Sequence, residues 1–225
     1  YRLLPESYML NFTVQAHGLQ NFFPSSMKTM NVDWAQRVRQ QEKGYTFEQR
    51  YTTLTYHTEK DTEHLSEMKP QSKEVAGLEW IAFKDQFFSS IFIADQQFKT
   101  AAISSSPINE GSGYLKSMQA ESTVFFDPSG EKASQFQFYF GPNQYQTLKE
   151  SSKLSTSGKD LNLDKLIYFG WPIVRWVNRF FVVYLFDWLT SWGINMGIVL
   201  LLLTLIVKAI VLPFTYKQYL STAKM

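Results

Sequence analysis

A single lysine within a long apolar run is the residue of this sequence most able to do chemistry. Residues 194–214 carry Lys208 as their one charge. If the run is helical, Thr204, Lys208 and Thr215 share one stripe of its surface, and Tyr219 continues that stripe. A polar stripe with one positive charge predicts a wet groove inside a lipid bilayer.

A second interpretation of Lys208 stays open from position alone. The lysine lies about 9 Å from the far end of the run, where a long side chain can extend to the membrane surface and anchor it. A lysine at the bilayer midplane costs on the order of 3 kcal/mol, and less near an edge. Pro213 removes one helix hydrogen bond and predicts a bend close to this charge.

The element that must position these residues is a transmembrane helix. At 1.5 Å per residue, residues 194–214 span about 30 Å, which matches the hydrocarbon core of a bilayer. Trp188 and Trp192 are predicted to lie at the interface where the span begins. Since the bulk of the chain precedes the span and a basic tail follows it, the bulk is predicted to lie outside the cytoplasm.

The residues before the span predict a helix that lies in the membrane interface. Residues 171–190 are almost wholly apolar and rich in aromatic side chains, beginning with Trp171. Arg175, Asn178 and Arg179 fall together at helical spacing and form a narrow polar face. The alternative is a buried amphipathic helix of a soluble protein, and the neighbouring span favours the interfacial interpretation.

The first two thirds of the chain predict β-structure. Apolar and polar residues alternate with a period of two in residues 8–14, 30–34 and 136–140, which is typical of half-buried strands. Many short strands without a βαβ rhythm predict an antiparallel sandwich. Other predicted features are a hairpin connection at residues 127–130, loops at 59–71 and 104–112, a short helix at 144–154 and a flexible linker at 151–159.

Composition excludes several classes of function. The 225 residues include no cysteine, which rules out disulfides and cysteine-based metal sites. A formal net charge of +2 is too small to indicate nucleic acid as a direct partner. No signal peptide is visible after Tyr1, and the start is interpreted as a cut inside a larger protein. No cofactor or metal is expected.

The end of the chain also carries a specific pattern. It is Trp-Gly, then Thr-x-x-Val-Lys, Pro-x-Thr, and finally Gln-Tyr-x-x-x-Ala-Lys-Met. The residues are Trp192, Gly193, Thr204, Val207, Lys208, Pro213, Thr215, Gln218, Tyr219, Ala223, Lys224 and Met225. This pattern resembles the YidC-type membrane protein insertases (the YidC/Oxa/Alb family). Residues 79–88, 139–142 and 168–171 resemble the periplasmic domain of the same family.

The resemblance implies a fold and a domain order. The fold would be mostly β: an antiparallel, mutarotase-like β-supersandwich as periplasmic domain, then an interfacial amphipathic helix and one transmembrane helix. The implied ranges are 1–160 for an N-terminally truncated periplasmic domain, 161–192 for a linker and the interfacial helix, and 193–225 for the transmembrane helix and the start of a cytoplasmic segment. The protein would be multi-pass in the bacterial inner membrane, with residues 1–192 on the periplasmic side.

The resemblance also implies a non-enzymatic function. Members insert and help fold nascent membrane proteins through a hydrophilic groove whose single positive residue corresponds to Lys208. Lysine keeps the charge of the arginine that many bacterial members carry there but loses its planar fork. Implied partners are nascent membrane proteins, the lipid bilayer, the Sec translocon (SecYEG, SecDF) and the ribosome through cytoplasmic parts beyond Met225.

Two other hypotheses use the β-region. One is a membrane-anchored carbohydrate-binding or epimerase-like domain. An epimerase needs a histidine and a glutamate that converge in one cleft, and the nearest candidates are His17, Glu74 and Glu79. A binding module needs exposed aromatic side chains that line a groove, for which the candidates are Trp34 and Trp80. A docking platform for the translocon needs exposed apolar patches. A metal site at His57 and His64 is disfavoured, because their spacing fits no strong signature.

Overall fold

The computed structural model describes residues 1–3, 5, 7–24, 26–168 and 181–223, with backbone only at positions 95, 214, 215 and 217–223. The chain divides into two compact units, Tyr1–Ile167 and Tyr168–Met225. The predicted interface anchors Trp171, Arg175 and Arg179 lie outside the described residues.

The described residues of the first unit form nine antiparallel strands. In chain order they are β1 Arg2–Leu3, β2 Met9–Val14, β3 Thr29–Arg39, β4 Thr53–Thr58, β5 Thr62–His64, β6 Gln71–Lys84, β7 Phe88–Pro107, β8 Tyr114–Phe125 and β9 Ser134–Pro142. Helix α1 (Tyr45–Tyr51) precedes β4, helix α2 (Tyr145–Ser151) follows β9, and 3-10 turns cover Ser152–Leu154 and Leu163–Leu166.

The long strand β7 organises the sheet. The described strands follow the order β1-β2-β9-β7-β6-β4-β5, with β8 paired to β7 and β3 paired to β8 off this path. On one side β7 pairs with β6. On its other side β7 pairs first with β9, from Phe88 to Ala94, and then with β8, from Ala101 to Pro107. The sheet therefore divides along β7, and the β3–β8 pair can fold over the remainder.

The main core lies inside the curled sheet, between the β3–β8 pair and the remaining strands. The indole of Trp34 on β3 stacks on the ring of Phe83 on β6, with 3.9 Å between ring centroids. Side chains from β4, β6, β7, β8 and β9 complete the cluster: Leu54, Tyr56, Leu78, Ile81, Phe92, Phe98, Ile103, Leu115, Met118, Val124 and Phe136. The mostly antiparallel β fold expected from the sequence is confirmed.

A second core covers the opposite face of the sheet. The buried side chains Met9, Trp80, Ile91 and Tyr139 point away from the main core. The chain after α2 lies over them and contributes Leu148, Leu161, Leu163 and Leu166. Period-two alternation thus gives β2, β6 and β9 two apolar faces, each with its own cover.

Some local predictions are confirmed and others are wrong. The turn at residues 127–130 is present, with Gly130 N donating to Asp127 O at 3.1 Å. The hairpin prediction is wrong, because β8 pairs with β3 and β7 whereas β9 pairs with β2 and β7. The loop predictions for residues 59–71 and 104–112 are wrong in part, since β5 and the end of β7 lie there. The helix predicted at 144–154 is confirmed as α2 and the 3-10 turn after it.

The second unit contains two described helices, α3 (Val183–Ser191) and α4 (Met196–Ala223). They pack on each other, and Leu189 on α3 and Val199 on α4 are buried. A tight corner joins them: Gly193, at a φ of +67°, donates its N–H to Thr190 O at 3.0 Å. Asn195 then caps α4, because its Oδ1 accepts the N–H of Gly197 at 2.8 Å.

Candidate functional site in the apolar helix

Helix α4 is long and apolar enough to cross a membrane. Among the described residues, one helix passes this test, over Met196–Pro213, and 6% of that window is buried. Leu201, Leu205 and Leu212 are each more than half exposed. A stable chain in water rarely exposes an apolar surface of this length, so lipid is the solvent that suits it.

The two predicted groove residues whose side chains are described lie one helical turn apart. Thr204 and Lys208 are both exposed, and they share a face of α4 because they are four residues apart. The hydroxyl of Thr204 donates to Leu200 O at 2.8 Å, which leaves its lone pairs open to a further donor. Thr215 and Tyr219 belong to α4 by backbone, and Pro213 lies inside the helix. Their contact with a substrate remains a prediction.

Two tryptophans lie at the junction of α3 and α4: Trp188 in the last turn of α3 and Trp192 directly after it. The rings of Trp188 and Trp192 pack edge to face with centroids 4.5 Å apart. They are 52% and 56% exposed, so each has a free surface. Amphipathic indole rings favour the boundary between headgroups and acyl chains. Their role as interface anchors remains a prediction, like that of Trp171, Arg175 and Arg179.

In the first unit, His57 is held inside the second face of the sheet. Its ring stacks on Trp80 with centroids 5.2 Å apart, its Nδ1 lies 2.8 Å from Thr62 Oγ1, and its Nε2 lies 3.5 Å from Glu79 Oε2. Burial lowers the pKa of His57 to about 4, and the positive charge of Lys165 acts in the same direction. A histidine with both ring nitrogens occupied is a packing residue. Within the described part of the chain, no cluster of three or more His, Asp or Glu could hold a metal.

The epimerase hypothesis gains nothing from this geometry. Glu74 lines a cavity of about 590 Å³ with residues of β3, β7 and β8. Glu79 lines a different cavity of about 320 Å³ beside Asp160 and Leu161. His17 is exposed in the connection after β2 and lines neither of them. The candidate residues therefore do not converge in one cleft.

The aromatic candidates of the binding hypothesis are packing residues as well. Trp80 is fully buried, and Trp34 contributes its ring to the main core. A carbohydrate-binding groove would need such rings open to solvent, so neither tryptophan supports that hypothesis.

One buried charge was not predicted. Lys116 on β8 is fully buried, and its Nζ donates to Thr52 O at 2.5 Å and Glu67 O at 2.7 Å. Burial lowers the pKa of Lys116 to about 8, with Glu67 opposing the shift. The ammonium joins the end of α1 to the loop after β5, so its function is structural. A lysine in an alternating strand looks like a solvent-facing residue, so the sequence offers no signal for it.

The fold and the apolar helix together define a class: a protein with a curled antiparallel β unit followed by a candidate membrane span. Comparison with protein families is specific. The model of the YidC periplasmic domain matches residues 1–184. The chain therefore belongs to the YidC periplasmic domain family. Membership makes it part of a bacterial membrane protein with a periplasmic segment.

Curated relatives extend the match over the whole chain. It is 57% identical over 227 residues to the membrane protein insertase YidC of Phocaeicola vulgatus and covers 37% of that protein. It is 46% identical to the protein of the same name from Bacteroides fragilis and 36% identical to that from Porphyromonas gingivalis, covering 36% of each. The chain thus spans just over a third of the length of these relatives.

Proposed function

We propose that this chain supplies a periplasmic domain and the first core helix of a membrane protein insertase, which inserts and helps fold nascent inner-membrane proteins. The observation that carries the proposal is Lys208, a single charge within the candidate span of a chain that belongs to the YidC family. Lys208 would be the positive residue of a hydrophilic groove within the membrane.

The proposed mechanism is electrostatic. An acidic tail of a substrate enters the groove and approaches Lys208, which lowers its cost of leaving water. Two opposite charges about 4 Å apart attract by about 4 kcal/mol at an effective dielectric constant of about 20. This attraction offsets the roughly 3 kcal/mol cost of a charge at the bilayer centre. The apolar segment of the substrate then moves into lipid by hydrophobic transfer.

The other residues of the stripe would keep the groove wet. Thr204 already satisfies its hydroxyl proton within α4, so its oxygen remains available to water or to a substrate donor. Thr215 and Tyr219 would extend the polar stripe toward the cytoplasmic end. No covalent step and no cofactor enter this mechanism, which is why we propose a non-enzymatic function.

The proposed location is the bacterial inner membrane, in a multi-pass protein with residues 1–192 on the periplasmic side. Trp188 and Trp192, with Trp171, Arg175 and Arg179, would hold the preceding helix at the periplasmic interface. Proposed partners are nascent membrane proteins, lipid, the Sec translocon and, through further cytoplasmic parts, the ribosome. Direct binding of nucleic acid is not proposed.

The test is a charge series at position 208 in a complete insertase. The full-length Phocaeicola vulgatus protein is made as a chimera in which this chain replaces the residues that it matches. Lys208→Arg, Lys208→Ala and Lys208→Glu are compared in cells depleted of their own insertase. The readout is insertion of a single-span substrate with an acidic tail. We expect Lys208→Arg to insert normally, and Lys208→Ala and Lys208→Glu to lose most activity at equal protein levels.

Ile210→Ala is the matched control. Ile210 is exposed and lies on the opposite side of α4 from Lys208, so it tests truncation of the helix surface without loss of charge. Normal insertion by Lys208→Ala and Lys208→Glu would show that insertion does not need the positive charge. It would favour the interpretation of Lys208 as a membrane anchor.

A further inference from the structure

One end of the sheet gathers four connections of the first unit. The turn between β6 and β7 follows the pair Lys84 and Ser89. Beside it, Phe88 pairs with Pro142 at the end of β9, and Thr53 at the start of β4 pairs with Lys84. The end of α1, the β6–β7 turn, the end of β9 and the start of β2 therefore share this edge of the sheet.

Hydrogen bonds fix this end in one conformation. The side-chain amide of Asn143 donates to Asp85 O at 2.7 Å and also to Gln86 O and Phe88 O at 3.3 Å. The backbone N–H of Asn143 donates to Phe87 O at 2.7 Å. The hydroxyl of Thr52, at the end of α1, donates to Asp85 Oδ1 at 2.9 Å. The turn is therefore a pre-organised platform that joins α1 to the strands.

The platform presents aromatic side chains to the outside. Phe87 in the turn and Phe88 at the start of β7 are 54% and 63% exposed, and Phe47 and Tyr51 on α1 are 58% and 44% exposed. The rings of Phe47 and Tyr51 lie 4.8 Å apart. Tyr8 and Phe140, joined by a hydrogen bond from Phe140 N to Tyr8 O, are also about half exposed. We call these residues the aromatic rim: Tyr8, Phe47, Tyr51, Phe87, Phe88 and Phe140.

Both the chemistry of the rim and its attachment indicate lipid as its occupant. Tyrosine is enriched at membrane–water interfaces, and phenylalanine occurs on the apolar faces of segments that lie in the interface, so the rim has a composition that partitions into the headgroup region. The first unit is joined through residues 168–195 to the candidate span that begins at Met196. Because the first unit is tethered to the span, it stays close to the bilayer, and the local concentration of lipid around the rim is high. Even weak partitioning of a few rings is then enough to keep the rim in contact with lipid.

We propose that the aromatic rim is a membrane-contact surface that inserts its rings into the headgroup region of the bilayer. The contact holds the β unit at the surface in one orientation. It requires membrane anchoring of this chain but not the proposed role of Lys208, so either proposal can fail alone.

The experiment uses the absence of cysteine from the chain. Phe87→Cys and Tyr51→Cys are labelled separately with an environment-sensitive fluorophore, and the whole chain is reconstituted into phosphatidylcholine–phosphatidylglycerol vesicles. Glu131→Cys, in the exposed turn before β9, is the matched control. The nine residues of β9 separate it from the rim by about 30 Å. We expect brominated lipids to quench the rim probes several-fold more than the control, with a blue-shifted emission.

Each other outcome overturns the proposal. Equal quenching at the control position would mean that contact with lipid is not specific to the rim. No quenching at either rim position would mean that lipid does not cover it. The same labels are then placed in the full-length chimera. Quenching that disappears there would show that another part of the protein, rather than lipid, occupies the rim.

Discussion

The indole N–H of Trp80 donates a 2.8 Å hydrogen bond to the carbonyl oxygen of Leu161, which joins strand β6 to the segment that follows α2. Both residues are buried in the second core. The bond fixes the chain that leads away from the β unit against the sheet.

Replacing Trp80 with phenylalanine should loosen this segment. The orphaned carbonyl of Leu161 costs about 1–3 kcal/mol, because it stays buried without a donor. We expect faster tryptic cleavage at Lys153 and Lys159 in the detergent-solubilised chain. Trp34→Phe is the control, since it removes an indole from the main core instead. Cleavage that is accelerated equally by both variants would point to general destabilisation and contradict a specific role for this bond.

The stability of the β unit should depend on the protonation of His57. Burial lowers the pKa of His57 from 6.5 to about 4, so the unfolded chain binds a proton more readily than the folded chain between these values. The contribution of His57 to stability is therefore complete above about pH 6.5 and declines as the pH falls toward 4, by at most about 1.4 kcal/mol per pH unit.

Chemical denaturation at a series of pH values measures this effect. We expect His57→Gln to flatten the decline between pH 6.5 and 4, whereas His64→Gln, at an exposed histidine that pairs with Glu67, should keep it. An unchanged slope in His57→Gln would assign the acid sensitivity to other groups.

Alanine at Gly130 should destabilise the β unit more than alanine at Gly158. Both have positive φ values, +77° and +73°, so alanine at either position costs about 1–2 kcal/mol. A Cβ at Gly130 would also collide with the backbone carbonyl of Ala16, whereas a Cβ at Gly158 meets nothing within 4 Å. We expect Gly130→Ala to lower the free energy of unfolding by about 1–3 kcal/mol more than Gly158→Ala does. Equal losses in a denaturant titration would mean that the backbone at Ala16, in the connection after β2, shifts to make room for the methyl group.

Local pattern predicts which residues form strands but not how the strands pair. The alternation in β2, β3 and β9 comes from one face on a core and one toward water, and that signal is local. Pairing is a long-range choice. The turn at residues 127–130 has the residues of a hairpin, yet β8 and β9 meet different lengths of β7 because the sheet divides there.

Strands without apolar alternation escape sequence prediction for a related reason. Thr62–His64 and the serine-rich end of β7 owe their extended conformation to the neighbours that hydrogen-bond them. The buried role of Lys116 is equally invisible, because its partners are carbonyl oxygens of distant loops. By contrast, α4 depends only on length and hydrophobicity, so its position follows from the sequence.

The pairing of β2 has a consequence for the timing of folding. Strand β2 pairs with β1 and β9, and Gln137 Nε2 donates to Asn11 Oδ1 across 126 positions of sequence. A ribosome delivers Asn11 long before Gln137. Until then Leu10, Phe12 and Val14 have no β9 to join, and the edge of β2 is open to any other extended chain. The sheet therefore cannot form strand by strand during synthesis. Strand β2, which is made early, gains its partner only when β9 has been made.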